Sequence, residues 1–197
     1  MIELRIQQQF IDSADLKYQS AQALSKPIAA ALQALLACVT SGGKVLACGN
    51  GGSAAQARHF VAQFVGRFER VRPELPAIAL DDGAVLSALA LAQDFAQVFA
   101  RQVRALGQAG DLLLIVSPGP DVPNLLAAVE AAHERDMTVI ALTGRGGKMA
   151  ALLRETDVLV SVPHERAARV EEVHLLTLHC LCDGVDTQLL GEQEVTT

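Results

Sequence analysis

A short apolar run, Val45-Leu46-Ala47-Cys48, ends in a glycine cluster, Gly49-Asn50-Gly51-Gly52-Ser53, and small and apolar residues at helical spacing follow. That order reads as a strand, a tight turn and the start of a helix. Glycine reaches positive φ and lets a ligand approach the backbone closely. The first N–H groups of a helix lack intrahelical partners and carry the positive end of its dipole, and Ser53 stands where it can cap them. Such a turn suits an anion, most often a phosphate. A plain βα turn also uses Gly, Asn and Ser, but three glycines in the four positions 49–52 weigh toward a ligand site.

The same unit recurs. Apolar runs at 77–80, 112–116, 138–142 and 158–162 read as four more buried strands, each followed by a turn and a helical stretch. Five such units predict an α/β fold, a parallel sheet covered by helices on both faces. Ligands of such sheets sit at the carboxyl ends of the strands, where loops 49–53, 117–123 and 143–147 would gather. Ahead of the first strand, Ile2, Leu4, Ile6, Phe10, Ile11 and Leu16 predict an amphipathic helix over 2–20. Ser25-Lys26-Pro27 opens a second, which Ser41-Gly42-Gly43 stops. Further helices are expected over 84–106 with a break near Gln93-Asp94, from the 117–123 loop through Arg135, at 148–154 and over 165–190. The implied organisation is a helical extension at 1–41, one α/β domain at 42–190 and a flexible tail at 191–197.

At 51% hydrophobic residues the chain can bury a sizeable core, and with no Trp and one Tyr that core is aliphatic. A net charge of −6 argues against direct nucleic-acid binding. Cys38, Cys48, Cys180 and Cys182 have no metal or redox spacing and read as core residues of a reducing compartment. The start is polar and amphipathic rather than a leader, and the apolar stretches read as too interrupted to span a bilayer, so a cytoplasmic protein is expected. A P-loop is excluded by the lack of G-x-x-x-x-G-K-[ST]. Gly49-x-Gly51-x-x-Ala54 matches a dinucleotide fingerprint in form, but Asp81 and Asp82 lie too far along to serve as its ribose partner.

The stretch CGNGGSAAQARHFVAQFVGRFERVRPELPAIAL, with RQVRALGQAGDLLLIVS, MTVIALTG and ARVEEVHLLTLHCLCDGVD, resembles the sugar isomerase (SIS) domain of bacterial sedoheptulose 7-phosphate isomerases. It is equally similar to their relatives, the DnaA initiator-associating proteins. The resemblance spans nearly the whole chain. It implies a five-stranded parallel sheet, a homotetramer with sites between subunits, and a phosphosugar ligand held by residues such as Asn50, Gly51, Gly52, Ser53, Ser117 and Thr143.

It also implies zinc, held in the isomerases by His and Glu four residues apart and by Gln and His eight apart. Here those positions are His59 and Gln63, then Glu171 and His179. Each pair lies on one helix face, about 40° and about 80° apart. Carboxylate and amide have changed places. An amide takes up no proton at neutral pH, so a base would have to be Glu171 or His179. The isomerase loop after the third strand, approximately Ser-Thr-Ser-Gly-Asn-Ser, is here Ser117-Pro118-Gly119-Pro120-Asp121-Val122. Its two prolines lack N–H donors, and Asp121 would set a like charge toward a phosphate. An expected Asn-Asp pair falls at Leu91-Ala92, and Leu189-Leu190 stand where the initiator-associating proteins present a Leu-Phe pair to DnaA. These departures predict a noncatalytic tetrameric scaffold that binds the replication initiator DnaA. The alternative is an active isomerase, converting sedoheptulose 7-phosphate to D-glycero-D-manno-heptose 7-phosphate for lipopolysaccharide synthesis.

Overall fold

A computed structural model of the chain describes residues 1–92, 94–119 and 121–192. Gln93 in the expected helix break, Pro120 and all but the first two residues of the expected tail lie outside these. The five apolar runs form strands β1 (Val45–Gly49), β2 (Ala77–Ala79), β3 (Leu112–Ser117), β4 (Thr138–Thr143) and β5 (Val158–Ser161), all parallel, in the order β2-β1-β3-β4-β5. Strand order reverses between β1 and β3, which opens a crevice beyond their carboxyl ends.

Alternate side chains of each central strand enter opposite layers of core. Val45, Ala47, Leu112, Leu114 and Val116 face α1 (Ile2–Thr40), α2 (Gly52–Val65) and α7 (Ala167–Leu190). Leu46, Cys48, Leu113, Ile115 and Ala141 face α4 (Val98–Leu106), α5 (Pro123–Glu134) and α6 (Met149–Leu152). A strand buried on both faces must read as an uninterrupted apolar run, as these do. Between α3 (Gly83–Ala92) and α4 a short 3₁₀ turn, Phe95–Gln97, marks the expected break, and Asp94 caps it by accepting from Ala96 N at 3.1 Å.

The expected pair of N-terminal helices is a single helix. Pro27 removes one N–H within α1, yet the helix runs on through it. Packing outweighs that loss: Leu16, Ser20, Leu24, Ala31, Leu35 and Cys38 form one buried stripe that continues across Pro27. Contrary to the sequence expectation, α1 is long and apolar enough by length and composition to cross a membrane. In the structure its stripe packs along the fold, chiefly on α7. Cys180 also departs from expectation: it is exposed, while Cys38, Cys48 and Cys182 are buried.

Helices α2 and α7 are locked together at one end by Arg72. Its guanidinium is fully buried, donates to Asp186 Oδ1 at 2.6 Å and to the carbonyls of Gln63 and Phe64 at 2.8 Å, and so caps the last turn of α2 while gripping α7. Arg72→Met should lower the unfolding free energy in urea by about 3–5 kcal/mol, because it strands the Asp186 carboxylate and two helix carbonyls. Adding Asp186→Leu should recover part of that loss; a double variant as unstable as the single would show that the charge was not the cause.

Candidate active site

The crevice between β1 and β3 holds an open cavity of about 710 Å3. Asn50, Gly51 and Ser53 line it from the β1 turn, Ser117, Pro118 and Gly119 from the end of β3, and Asn124 from the first turn of α5. Asp94 and Phe95 form its outer wall, and Glu171 closes it from α7. Of the sequence-predicted ligand residues, Asn50, Gly51, Ser53 and Ser117 therefore meet in one place. Gly52 adjoins them: a side chain there would meet the Glu171 carboxylate at 3.5 Å. Thr143 does not line the cavity. It ends β4 behind the site, and its carbonyl meets His174 Nε2 at 3.1 Å. The loop after it supports the β3 loop, since any side chain at Gly144 would collide with the carbonyl of Pro118.

Ser53 does not cap α2 as expected. The helix begins earlier, with Gly51 as its N-cap at φ 56°, a conformation suited to glycine. Ser53 Oγ is instead buried, lines the cavity wall and has no hydrogen-bond partner among the described residues. A buried hydroxyl without a partner is costly, and a ligand oxygen would satisfy it. Ser117 Oγ is engaged within its own loop, donating to Gly119 O at 2.6 Å.

Asp121, expected to oppose a phosphate, is turned away. It is exposed, absent from the cavity lining, and accepts from the backbone N–H of Lys148 at 2.5 Å. The loop thus keeps the crevice open. Asn124 was missed by sequence reasoning. It is 1% exposed, and its side-chain amide exchanges two 3.0 Å hydrogen bonds with that of Asn50. Its signal was an Asn just after the Pro that starts a helix behind a strand-end loop. Asp94 was likewise read only as part of a helix break, and Phe95 only as a residue of the 84–106 helix.

The four expected zinc ligands are not brought to one point. His59 and His179 meet, their Nε2 atoms 3.1 Å apart. Gln63 lies a turn beyond, with Oε1 3.6 Å from Cys182 Sγ. Glu171 precedes His179 by two helical turns, about 12 Å along the axis, and lies against Gly52 instead. Among the described residues no three His, Cys, Asp or Glu side chains converge. As they stand, the four do not fit a single zinc ion. His179 is held below the ordinary imidazole range first by burial and then by His59, with Glu69 opposing. Leu189 and Leu190 end α7, 40% and 38% exposed, and line no part of the cavity.

A sequence model of the SIS domain matches residues 9–144. The chain is 62% identical, over its whole length and 99% of the relative's, to a protein named phosphoheptose isomerase from Methylibium petroleiphilum. It belongs to the phosphoheptose isomerase group of the SIS-domain family. A second relative of that name, from Azoarcus sp., is 53% identical over 96% of this chain and 98% of its own. Among solved structures, a phosphoheptose isomerase from Francisella tularensis superposes with TM-score 0.92 at 42% identity, covering 95% of this chain and 99% of that one. The phosphoheptose isomerase of Neisseria gonorrhoeae gives 0.90 at 46%, covering 95% and 100%.

These findings confirm the SIS resemblance and the five-stranded parallel α/β fold. They overturn the expectation of a noncatalytic scaffold for DnaA. The full-length relatives carry the isomerase name, and the alternative reading is the one they support. The scaffold reading took the altered loop, the exchanged carboxylate and amide and the displaced Asn-Asp pair together; the outward turn of Asp121 and the open crevice show that the loop changes leave a cavity intact.

Behind the site, His174 is fully buried and held down to about 4 by desolvation, against the raising effect of the Thr143 carbonyl. Unfolded, the same ring titrates near 6.5. Between these values the unfolded chain binds the proton that the native state refuses, so stability falls as pH drops from about 6.5 to about 4. The loss attributable to His174 should approach about 3 kcal/mol in urea titrations. His174→Gln should flatten that slope, and an unchanged slope would refute the assignment.

Proposed function

We propose that the protein is a phosphoheptose isomerase, interconverting sedoheptulose 7-phosphate and D-glycero-D-manno-heptose 7-phosphate. The observation that carries this reading is the full-length likeness, at 62% and 53% identity, to relatives of that name. The site is chemically apt for it. An aldose–ketose isomerisation takes a proton from C1, passes through an enediol and returns a proton to C2, while a hydroxyl proton moves from O1 to O2. It needs a base beside the two carbons, donors for the oxygens and a hold on the phosphate.

Glu171 is the base in this reading. Its carboxylate borders the cavity beside the glycine turn, whereas Gln63, at the position of the family's carboxylate, cannot accept a proton at neutral pH. The unpartnered Ser53 hydroxyl and the N-terminal end of α2 hold the phosphate. The Asn50 amide faces the sugar oxygens, and the Phe95 ring and Pro118 offer apolar surface to its carbons. His179, two turns away, serves no step within one chain.

We also infer that the protein self-associates, as the tetramer that the resemblance implies. Helix α3, Gly-Ala-Val-Leu-Ser-Ala-Leu-Ala-Leu-Ala, is almost wholly apolar yet has no buried residue, and Leu91 at its end is 90% exposed. A helix apolar all round calls for burial. The first turns of α1 expose Ile2, Leu4, Ile6 and Phe10. The cavity is lined by two carboxylates and, among the described residues, no lysine or arginine. A neighbouring copy that reaches the cavity would supply the missing cation. Phosphorylated sugars do not cross membranes unaided, which supports a cytoplasmic location.

Turnover of sedoheptulose 7-phosphate tests the reading. Glu171→Gln should reduce kcat by roughly 10²- to 10⁴-fold with the thermal transition unchanged. Ser53→Ala should raise KM about tenfold or more with a smaller change in kcat, as one hydrogen bond to a charged group is lost. Wild-type protein without turnover, or Glu171→Gln with full turnover, would overturn the assignment.

A further inference from the structure

Asn50 and Asn124 are 74 positions apart in sequence, and they meet at the middle of the switch-point crevice. Asn50 opens the glycine turn after β1, and its own carbonyl accepts from Ser53 N at 3.1 Å. Asn124 is the second residue of α5, behind Pro123. At that position a polar side chain often serves its own helix end, yet α5 has no side-chain cap. The Asn124 side chain turns instead across the crevice and pairs head to tail with Asn50, each Nδ2 donating to the other's Oδ1 at 3.0 Å.

Reciprocity has a consequence for the turn. An amide has two N–H donors and an oxygen with two acceptor sites. The pair uses one donor and one acceptor site on each side, leaving each amide one N–H and one acceptor site beside the cavity. Rotating either amide alone by 180° would set N–H against N–H and oxygen against oxygen. The two can therefore turn only together. Asn124 is almost fully buried between α5 and the sheet, so it is the anchored member, and the partly exposed Asn50 is the one it steadies.

We propose that Asn124 is a positioning residue: its amide fixes the orientation in which Asn50 presents its remaining N–H and oxygen to the substrate's hydroxyl and carbonyl oxygens. This rests on the isomerase reading above. It assigns Asn124 no contact with a proton in transit. Loss of Asn124 should let the Asn50 amide rotate, and small misplacements of a polarising group cost rate more than they cost binding.

The test is steady-state turnover of sedoheptulose 7-phosphate by the full chain carrying N124A, N50A, both, or N124D. With Asn124 as positioner, N124A lowers kcat by roughly ten- to a hundredfold while KM moves less than about threefold. The double variant is then no slower than N50A alone, because both changes disable one device. N124D keeps the shape of the side chain and guards against a folding failure of N124A. Its carboxylate can accept from Asn50 but cannot donate, until protonation restores a donor. Its rate relative to wild type should therefore climb as pH is lowered, at pH values where the thermal transition shows it folded. Effects of N124A and N50A that multiply in the double variant, or a pH-independent ratio for N124D, would overturn the positioning role while leaving the isomerase reading in place. Absence of turnover in the wild-type protein would overturn both.

Discussion

No side chain fits at Gly49. A Cβ there would lie 2.7 Å from the carbonyl of Val116 on β3 and 2.8 Å from the backbone of Ser53 on α2. The end of β1, the end of β3 and the first turn of α2 can meet only because nothing intervenes. That close approach brings the β1 turn and the end of β3, which line the crevice on two sides, into contact. Gly51, at positive φ, then turns the chain so that α2 points its N-terminus along the crevice. Once these two backbone conditions hold, the free N–H groups of the first turn of α2 border the crevice before any side chain is chosen.

The remaining requirement is that α7 bring a carboxylate to that place and keep it there. Two features of α7, both on its buried side, do this. His174, one turn beyond Glu171, ties the helix to the carbonyl of Thr143 at the end of β4. Asp186, four turns beyond, is held by Arg72 to the last turn of α2. Since α2 starts at the glycine turn and Arg72 caps its last turn, the same two helices are referenced to each other at both ends. The Glu171 carbonyl accepts from Gln56 Nε2 at 2.9 Å, which closes the seam near the cavity. Buried polar contacts of this kind contribute modestly to net stability but penalise other registers heavily, because each alternative strands a charge or an imidazole.

Much of this was legible in the sequence, and the exceptions have physical causes. Fully apolar runs bounded by Gly and Asp turns leave few alternatives to a parallel sheet, so β1, β3 and β4 could be placed to within a residue or two. Pro27 misled because its local cost is fixed, whereas the continuous stripe from Leu16 to Cys38 gains from packing that only the tertiary fold supplies. Asn50, Gly51, Ser53 and Ser117 were legible because strand ends are where such sheets bind. Asn124 was not, since its partner is remote in sequence and an Asn at a helix start ordinarily serves its own helix. The metal set was legible as a pattern of residue types and failed as geometry: helical spacing put each pair on a face but said nothing of how α2 and α7 slide against each other.

The most instructive misreading concerns the β3 loop. Read residue by residue, Ser-Pro-Gly-Pro-Asp loses hydroxyls and N–H donors and gains a negative charge, and each loss counts against binding a phosphate. That sum assumes the loop faces the ligand throughout. In the fold Ser117, Pro118 and Gly119 line the cavity, and so do Val122 and Pro123, but Asp121 does not. Ser117 folds back on Gly119, Pro118 packs over Gly144, and Asp121 has already left the crevice to hold the backbone of Lys148. A carboxylate exposed to water and hydrogen-bonded on the far side of a loop is strongly screened and weighs little on the cavity. The charges that do matter are those lining it, Asp94 and Glu171, and sequence reasoning had read Asp94 only as part of a helix break. Among the described residues no lysine or arginine joins those two carboxylates in the lining, which is the ground for proposing that a second copy completes the site.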